Sequence, residues 1–242
     1  MNNMRQIKTF LGCALVMLIS VCTLSAQQAQ ESEKDQKGSR VYRATLFNQW
    51  GGPELYVKEK KGFSVIKPAK YSYTRSYKYK GNVIEFFYKT VNAEDKVVYQ
   101  PVMQSKISPL IEEPLVIIVW DKIKKRPLAK AVEFSPNKFK YGSYQIVNFS
   151  GRPLAGYIGD KKNMIKCGPN QSKVTQFKFP HNAMLPMKFY ASVDGATDKV
   201  FGSMTKHREN KRAVYLIYAT RDKQGRIKYQ STVIVDNKKS ES

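Results

Sequence analysis

The chain reads as an all-β protein: two tandem, duplicated antiparallel β-sandwich domains behind an N-terminal signal peptide. Three observations predict this. Short runs rich in Val, Ile, Tyr and Phe recur between clusters of Gly, Pro, Asn, Asp and Lys, the pattern of many short strands joined by turns. No window of about 12 residues carries an apolar stripe at helical spacing between capping residues. The strand and turn order of the first half returns in the second, displaced by about 100 residues, a period too long for a solenoid unit and suited to one small sandwich per repeat.

The elements follow in order. Arg5 and Lys8 precede an apolar run from Thr9 to Leu24, and Leu24-Ser25-Ala26 offers a small residue for cleavage. Residues 1–26 therefore form the expected signal peptide. The run is shorter than the roughly 20 apolar residues of a spanning helix, and no later run replaces it. Val21, before Cys22, is larger than the residue a lipoprotein signal uses there, and Cys13 sits too early. The expectation is an exported protein, periplasmic, cell-surface or secreted, with no transmembrane span after the signal. Residues 27–40, "QQAQESEKDQKGSR", have no apolar pattern and read as a flexible linker.

The first unit, 41–135, opens with "VYRATLF" and a loop holding Asn48, Gly51 and Pro53. "ELYV", the turn "KEKKG", "GFSVI" and Pro68 follow, then "NVIEFFYKTV", "KVVYQPVM" and "PLVIIVW". Residues 136–142 are the linker. The second unit, 143–236, repeats the plan. "YQIV" leads into Asn148, Gly151 and Pro153, with the same N-x-x-G-x-P spacing at an offset of 100. "MIKCGP" answers "FSVIKP", with Pro169 offset by 101 from Pro68. "MKFYASV" answers "EFFYKTV", with Tyr190 offset by 102 from Tyr88, and "RAVYLIY" answers "PLVIIVW". The two N-x-x-G-x-P loops are expected to superpose, with Gly for unusual backbone angles and Asn bonding its own backbone. Residues 237–242 are a tail.

Charge limits the partners. The chain has 42 basic and 19 acidic residues, and loss of Arg5 and Lys8 with the signal leaves +21. Such a surface favours an acidic glycan, a lipid head group or an acidic protein. No specific nucleic-acid motif is present. Cys13 and Cys22 leave with the signal, so Cys167 is the one cysteine of the mature chain and no intramolecular disulfide can form. Aligning the repeats puts Cys167 where the first unit has Ile66, which predicts core packing rather than a nucleophile. His181 and His207 fall in turns outside any metal-binding spacing. Glu112-Glu113 precedes Pro114 in a loop, where adjacent carboxylates diverge. No cofactor and no enzymatic activity are expected.

Surface candidates remain. In "YSYTRSYKYK" (71–80), an extended backbone would put Tyr71, Tyr73, Arg75, Tyr77 and Tyr79 on one face. Phe177 and Phe179 stand opposite Tyr77 and Tyr79 in the second unit, so those two are expected in the core. Tyr71, Tyr73 and Arg75 are left as ligand-facing candidates, able to stack on sugars or bases. The basic turns add Lys124, Lys125 and Arg126, and Lys161 and Lys162.

The order "YQIVNFSGRPLAGYIGDK", a proline-led strand, "FY" and a last apolar hairpin resembles a group of uncharacterised exported bacterial proteins with tandem Ig-like β-sandwich units. The resemblance covers most of the mature chain and implies an envelope or secreted location. It implies no site residue and no activity. The function expected is therefore non-enzymatic binding of an anionic envelope component or a partner protein through basic loops. Two alternatives are a structural module pairing through strand edges and a hydrolase with scattered carboxylates.

Overall fold

The computed structural model describes residues 39–121, 125–193, 196–222 and 224–238. The expected signal peptide lies outside them, as does the following linker up to Gly38. Among the described residues every regular element is a strand. The first eight are β1 (Arg40–Leu46), β2 (Leu55–Glu59), β3 (Gly62–Ile66), β4 (Tyr77–Tyr79), β5 (Val83–Val91), β6 (Val97–Lys106), β7 (Pro114–Asp121) and β8 (Arg126–Glu133). The next eight are β9 (Tyr144–Phe149), β10 (Leu154–Ile158), β11 (Met164–Cys167), β12 (Ser172–Thr175), β13 (Met184–Val193), β14 (Ala196–Lys206), β15 (Lys211–Arg221) and β16 (Ile227–Asn237).

They form four sheets of four. Sheet I runs β3-β2-β5-β6 and sheet II runs β4-β1-β7-β8; sheet III runs β12-β9-β15-β16 and sheet IV runs β11-β10-β13-β14. Adding eight to every label turns sheet II into sheet III and sheet I into sheet IV, so the duplication is written in the topology. Pairing is antiparallel except for one parallel pair per unit, β1 with β7 and β9 with β15. The first and seventh strands of a unit are joined by a long intervening chain, which is what a parallel neighbour needs.

Three apolar cores hold the sheets. Tyr42, Leu55, Val57, Ile66, Phe86, Val116 and Ile118 are among those that fill the space between sheets I and II. Tyr144, Ile146, Leu154, Ile165, Cys167, Phe189 and Ile217 do the same between III and IV. The third core joins the two units: Phe47, Leu115, Ile117, Val119 and Val132 of one meet Val147, Val214, Leu216 and Ile234 of the other. The layers therefore stack I–II–III–IV. β7 and β15 are covered on both faces, which explains their nearly unbroken apolar sequences.

The connection between units takes part in the packing. Phe134 and Phe139 are buried in the central core. Arg212, also buried, lies over the rings of Phe134, Phe139 and Tyr141 at 4.3, 5.1 and 5.0 Å. Its Nε donates to Asp236 at 2.7 Å and its Nη1 to the Phe139 carbonyl at 2.7 Å.

Register corrects two details of the repeat. Leu55 pairs with Ile66 as Leu154 pairs with Cys167, so Cys167 does stand in for Ile66. Tyr56 pairs with Phe87, however, as Ala155 pairs with Tyr190. Tyr190 thus corresponds to Phe87, not Tyr88, and the β-bulges at Phe86/Phe87 and Phe189/Tyr190 coincide at an offset of 103. Likewise, Leu115 faces the central core whereas Ala213 faces the core of its own unit. Matching "PLVIIVW" to "RAVYLIY" letter by letter is therefore one residue out of register, and one residue exchanges the two faces of a strand.

Candidate binding face

The residues singled out in the sequence disperse. Tyr71 sits in a turn with φ +68° and is 58% exposed, its ring 4.6 Å from Lys70 Nζ. The extended face expected over 71–79 exists only from Tyr77, and Tyr77 and Tyr79 are in the core as expected. Tyr73 is half-buried and engaged within the protein: its hydroxyl donates to Asp236 Oδ1 at 2.6 Å and its ring meets Phe134 at 5.5 Å. Burial, then the bond to Asp236, raise its pKa to about 12. Arg75 is exposed, pairs with Glu59 at 3.4 Å and lies 4.6 Å from the Tyr77 ring.

The basic turns split between two ends. Trp50 of the β1–β2 loop touches Trp120 at the end of β7, at 5.1 Å. The β7–β8 turn, with Lys125 and Arg126, therefore shares an end with that loop. The β2–β3 turn, with Lys60 and Lys61, lies at the far end of β2. In the second unit β15 again ends beside β9, at Tyr218 and Phe149. Lys161 and Lys162, in the β10–β11 turn, fall at the opposite end from Arg221 and Arg226. Lys124 lies outside the described residues.

The two N-x-x-G-x-P loops occupy the same place in the two units but do not superpose. Gly151 has φ +74°, whereas Gly51 keeps an ordinary angle. Asn148 accepts from Ser150 N at 2.9 Å and donates to the carbonyls of Arg152, Cys167 and Gly168. Asn48 instead reaches across to β7, accepting from Trp120 N at 2.8 Å and donating to Trp120 O at 2.7 Å. Trp120 also occupies the space beside Gly51, so the first loop is shaped by a neighbouring strand rather than by its own turn.

Among the described residues no group of three or more His, Cys, Asp or Glu stands ready for a metal ion. A crevice lined by Val41, Tyr42, Arg43, Ser76, Glu113, Pro114 and Phe134 has room for about one water molecule, far below the several hundred Å³ of a small-molecule site. Cys167 is buried, which pushes its thiol pKa up. His207 is also buried rather than lying in an open turn; its Nδ1 and the Tyr144 hydroxyl share a hydrogen bond at 2.9 Å.

What remains are the two outermost sheet faces, and they differ. On sheet I, Phe63 and Tyr99 stack at 3.9 Å, Phe63 meets Phe87 at 5.0 Å and Tyr56 meets Tyr99 at 5.3 Å. These rings cover one another and bury Phe87, outside all three cores. The charges around them are mixed, with Lys58, Lys89 and Lys106 against Glu85.

At the equivalent positions of sheet IV the register gives Ala155 for Tyr56, Met164 for Phe63, Lys166 for Val65 and Tyr190 for Phe87. One row across the strands reads Met164, Tyr157, Lys188 and Gly202; the next reads Lys166, Ala155, Tyr190 and Lys199. Toward the other end Pro186 pairs with Met204 and Met184 with Lys206. Gly202 makes room for Lys199, whose Cε lies 2.8 Å from where a Cβ would stand. No Asp or Glu takes a described outward position on these four strands; Asp198 pairs with Ala191 on the inward register. Met164, Met184 and Met204 are 52, 57 and 56% exposed. The turn carrying Lys161 and Lys162 borders this face, with Asp160 paired to Lys162 at 3.7 Å.

The face measures about 14 Å across the strands and ~20 Å along them. It collects Lys161, Lys162, Lys166, Lys188, Lys199 and Lys206. The first two were legible as a basic turn. Lys206 ends β14 just ahead of the basic turn with Arg208, while Lys166, Lys188 and Lys199 lie inside strands; for Lys166 and Lys188 the signal was the spacing of two in "MIKC" and "MLPMKFY". No protein-family model matches the chain, and no curated protein matches it.

Proposed function

We propose that the protein is an exported, non-enzymatic binding protein whose anionic envelope target is held on the outer face of sheet IV. The observation that carries this reading is the run of lysines on a face without a described outward acid, next to the Lys161-Lys162 turn. Like charges gathered on one open surface repel one another. A polyanion relieves that repulsion and gains about 1 kcal/mol per lysine close to its charges. The mixed charges of sheet I supply the internal contrast.

The test is binding to dextran sulfate, as a generic polyanion, at low and high salt. The double variant Lys166→Glu/Lys188→Glu is expected to lose at least about tenfold in affinity at low salt. Lys58→Glu/Lys89→Glu on sheet I removes the same net charge and is expected to change little. Equal losses in the two variants would reduce the effect to overall charge and sink the reading.

A further inference from the structure

We infer that the outer face of sheet IV docks on a phospholipid bilayer with anionic head groups, its exposed methionines entering the interface and its lysines pairing with phosphates. This rests on the reading that the face takes an anionic target, and adds which target. Lysines alone do not discriminate, since a hydrated acidic polysaccharide satisfies them equally well. The methionines do. Met184, Pro186 and Met204 lie side by side on β13 and β14, and Met164 stands beside Tyr157 across the sheet. Each of the three methionines is more than half exposed, although the cores of both units are well filled.

A methionine side chain is unbranched and apolar, and reaches as far from the sheet as the stem of a lysine. Interleaving the two puts apolar ends and ammonium groups at the same height. A bilayer surface receives such a set, because the flexible lysine stems bend outward and keep their ammonium groups at the phosphates while the methionine ends reach the first acyl carbons beneath, and interfacial segments sink only about 5–10 Å into it. A glycan offers no apolar layer to receive the methionines. Tyr157 and Tyr190, half-buried on the same face, have the amphipathic character that suits the interface. The sheet presents this set as a broad open face, which matches a planar target rather than a groove-bound peptide.

The experiment is co-sedimentation of the protein with vesicles of equal parts phosphatidylglycerol and phosphatidylcholine, with pure phosphatidylcholine as control. Dextran sulfate binding is measured in parallel. The wild-type chain is expected to favour the anionic vesicles by about tenfold or more. Met164→Gln/Met184→Gln/Met204→Gln is expected to lose about tenfold on those vesicles while its dextran sulfate affinity stays within about twofold. If that variant binds the vesicles like wild type, or loses both activities together, the lipid inference is overturned and the anionic reading stands. If Lys166→Glu/Lys188→Glu weakens neither activity, both fall. Met204→Trp gives a readout independent of the triple variant's folding: brominated acyl chains are expected to quench its fluorescence in anionic vesicles, and absence of quenching overturns the inference.

Discussion

Tyr73 ties the two units together through one oxygen. Its hydroxyl donates to Asp236 Oδ1 while Arg212 donates to Oδ2, so a carboxylate of the second unit is held partly by the first. Tyr73→Phe leaves the ring against Phe134 and removes only the bond. A hydrogen bond to a charged group contributes about 1.5–3 kcal/mol, and that loss is expected in chemical denaturation at neutral pH. The pH dependence has a definite sign. The folded-state pKa, about 12, is above the ordinary tyrosine value of 10.0. The contribution is therefore complete below pH 10 and lost as pH rises through about 12. Tyr73→Phe should flatten that part of the stability curve, and an unchanged alkaline limb would show that Tyr73 is not its source.

Among the strands, β10 shows how two copies of one element can diverge. Gly156 occupies the position of Val57 in β2, facing the core. A Cβ there would lie 2.3 Å from the Lys188 carbonyl and 2.4 Å from the Phe189 ring. The second unit therefore fills with one large ring from β13 what the first fills from both strands. Gly156→Ala must push β13 away, and overpacking of this kind costs about 1–3 kcal/mol. The midpoint of urea unfolding should fall accordingly. Gly225→Ala, in the open β15–β16 turn where nothing lies within 4 Å, is strained by its φ of +78° but meets no such clash. A smaller fall for Gly156→Ala than for Gly225→Ala would contradict the crowding argument.

The described residues form one packed stack, not two beads on a string. The central core is built from the outward faces of sheets II and III, and without it Val147, Val214, Leu216 and Ile234 would face water. Burying a side chain of this kind contributes about 1.5–3 kcal/mol, so the interface has the weight of a domain core. Calorimetry is expected to show a single transition for the complete chain. Residues 143–238 expressed alone should associate or unfold at lower temperature, and a monomeric fragment with the melting temperature of the intact protein would refute the coupling.

How much of this was legible follows from what alternation can and cannot carry. Period-two patterning and turn residues determined the strands, and their recurrence determined the duplication. Cys167 in the place of Ile66, and Tyr77 and Tyr79 in the core, came from the same comparison. Register did not come with it, because a slip of one residue leaves the letters similar while exchanging the faces. Nor could the sequence assign the second covered face of "PLVIIVW" and "RAVYLIY", since an apolar run reads alike whether its other side meets a partner sheet or a loop. Tyr73 looked free because Asp236 stands 163 residues away. The lysines of sheet IV looked scattered because four strands, distant along the chain, bring them side by side. Local chemistry determined the elements of this protein; which faces meet each other and which are left open was decided by the tertiary structure, because burial depends on neighbours that the chain supplies from far away.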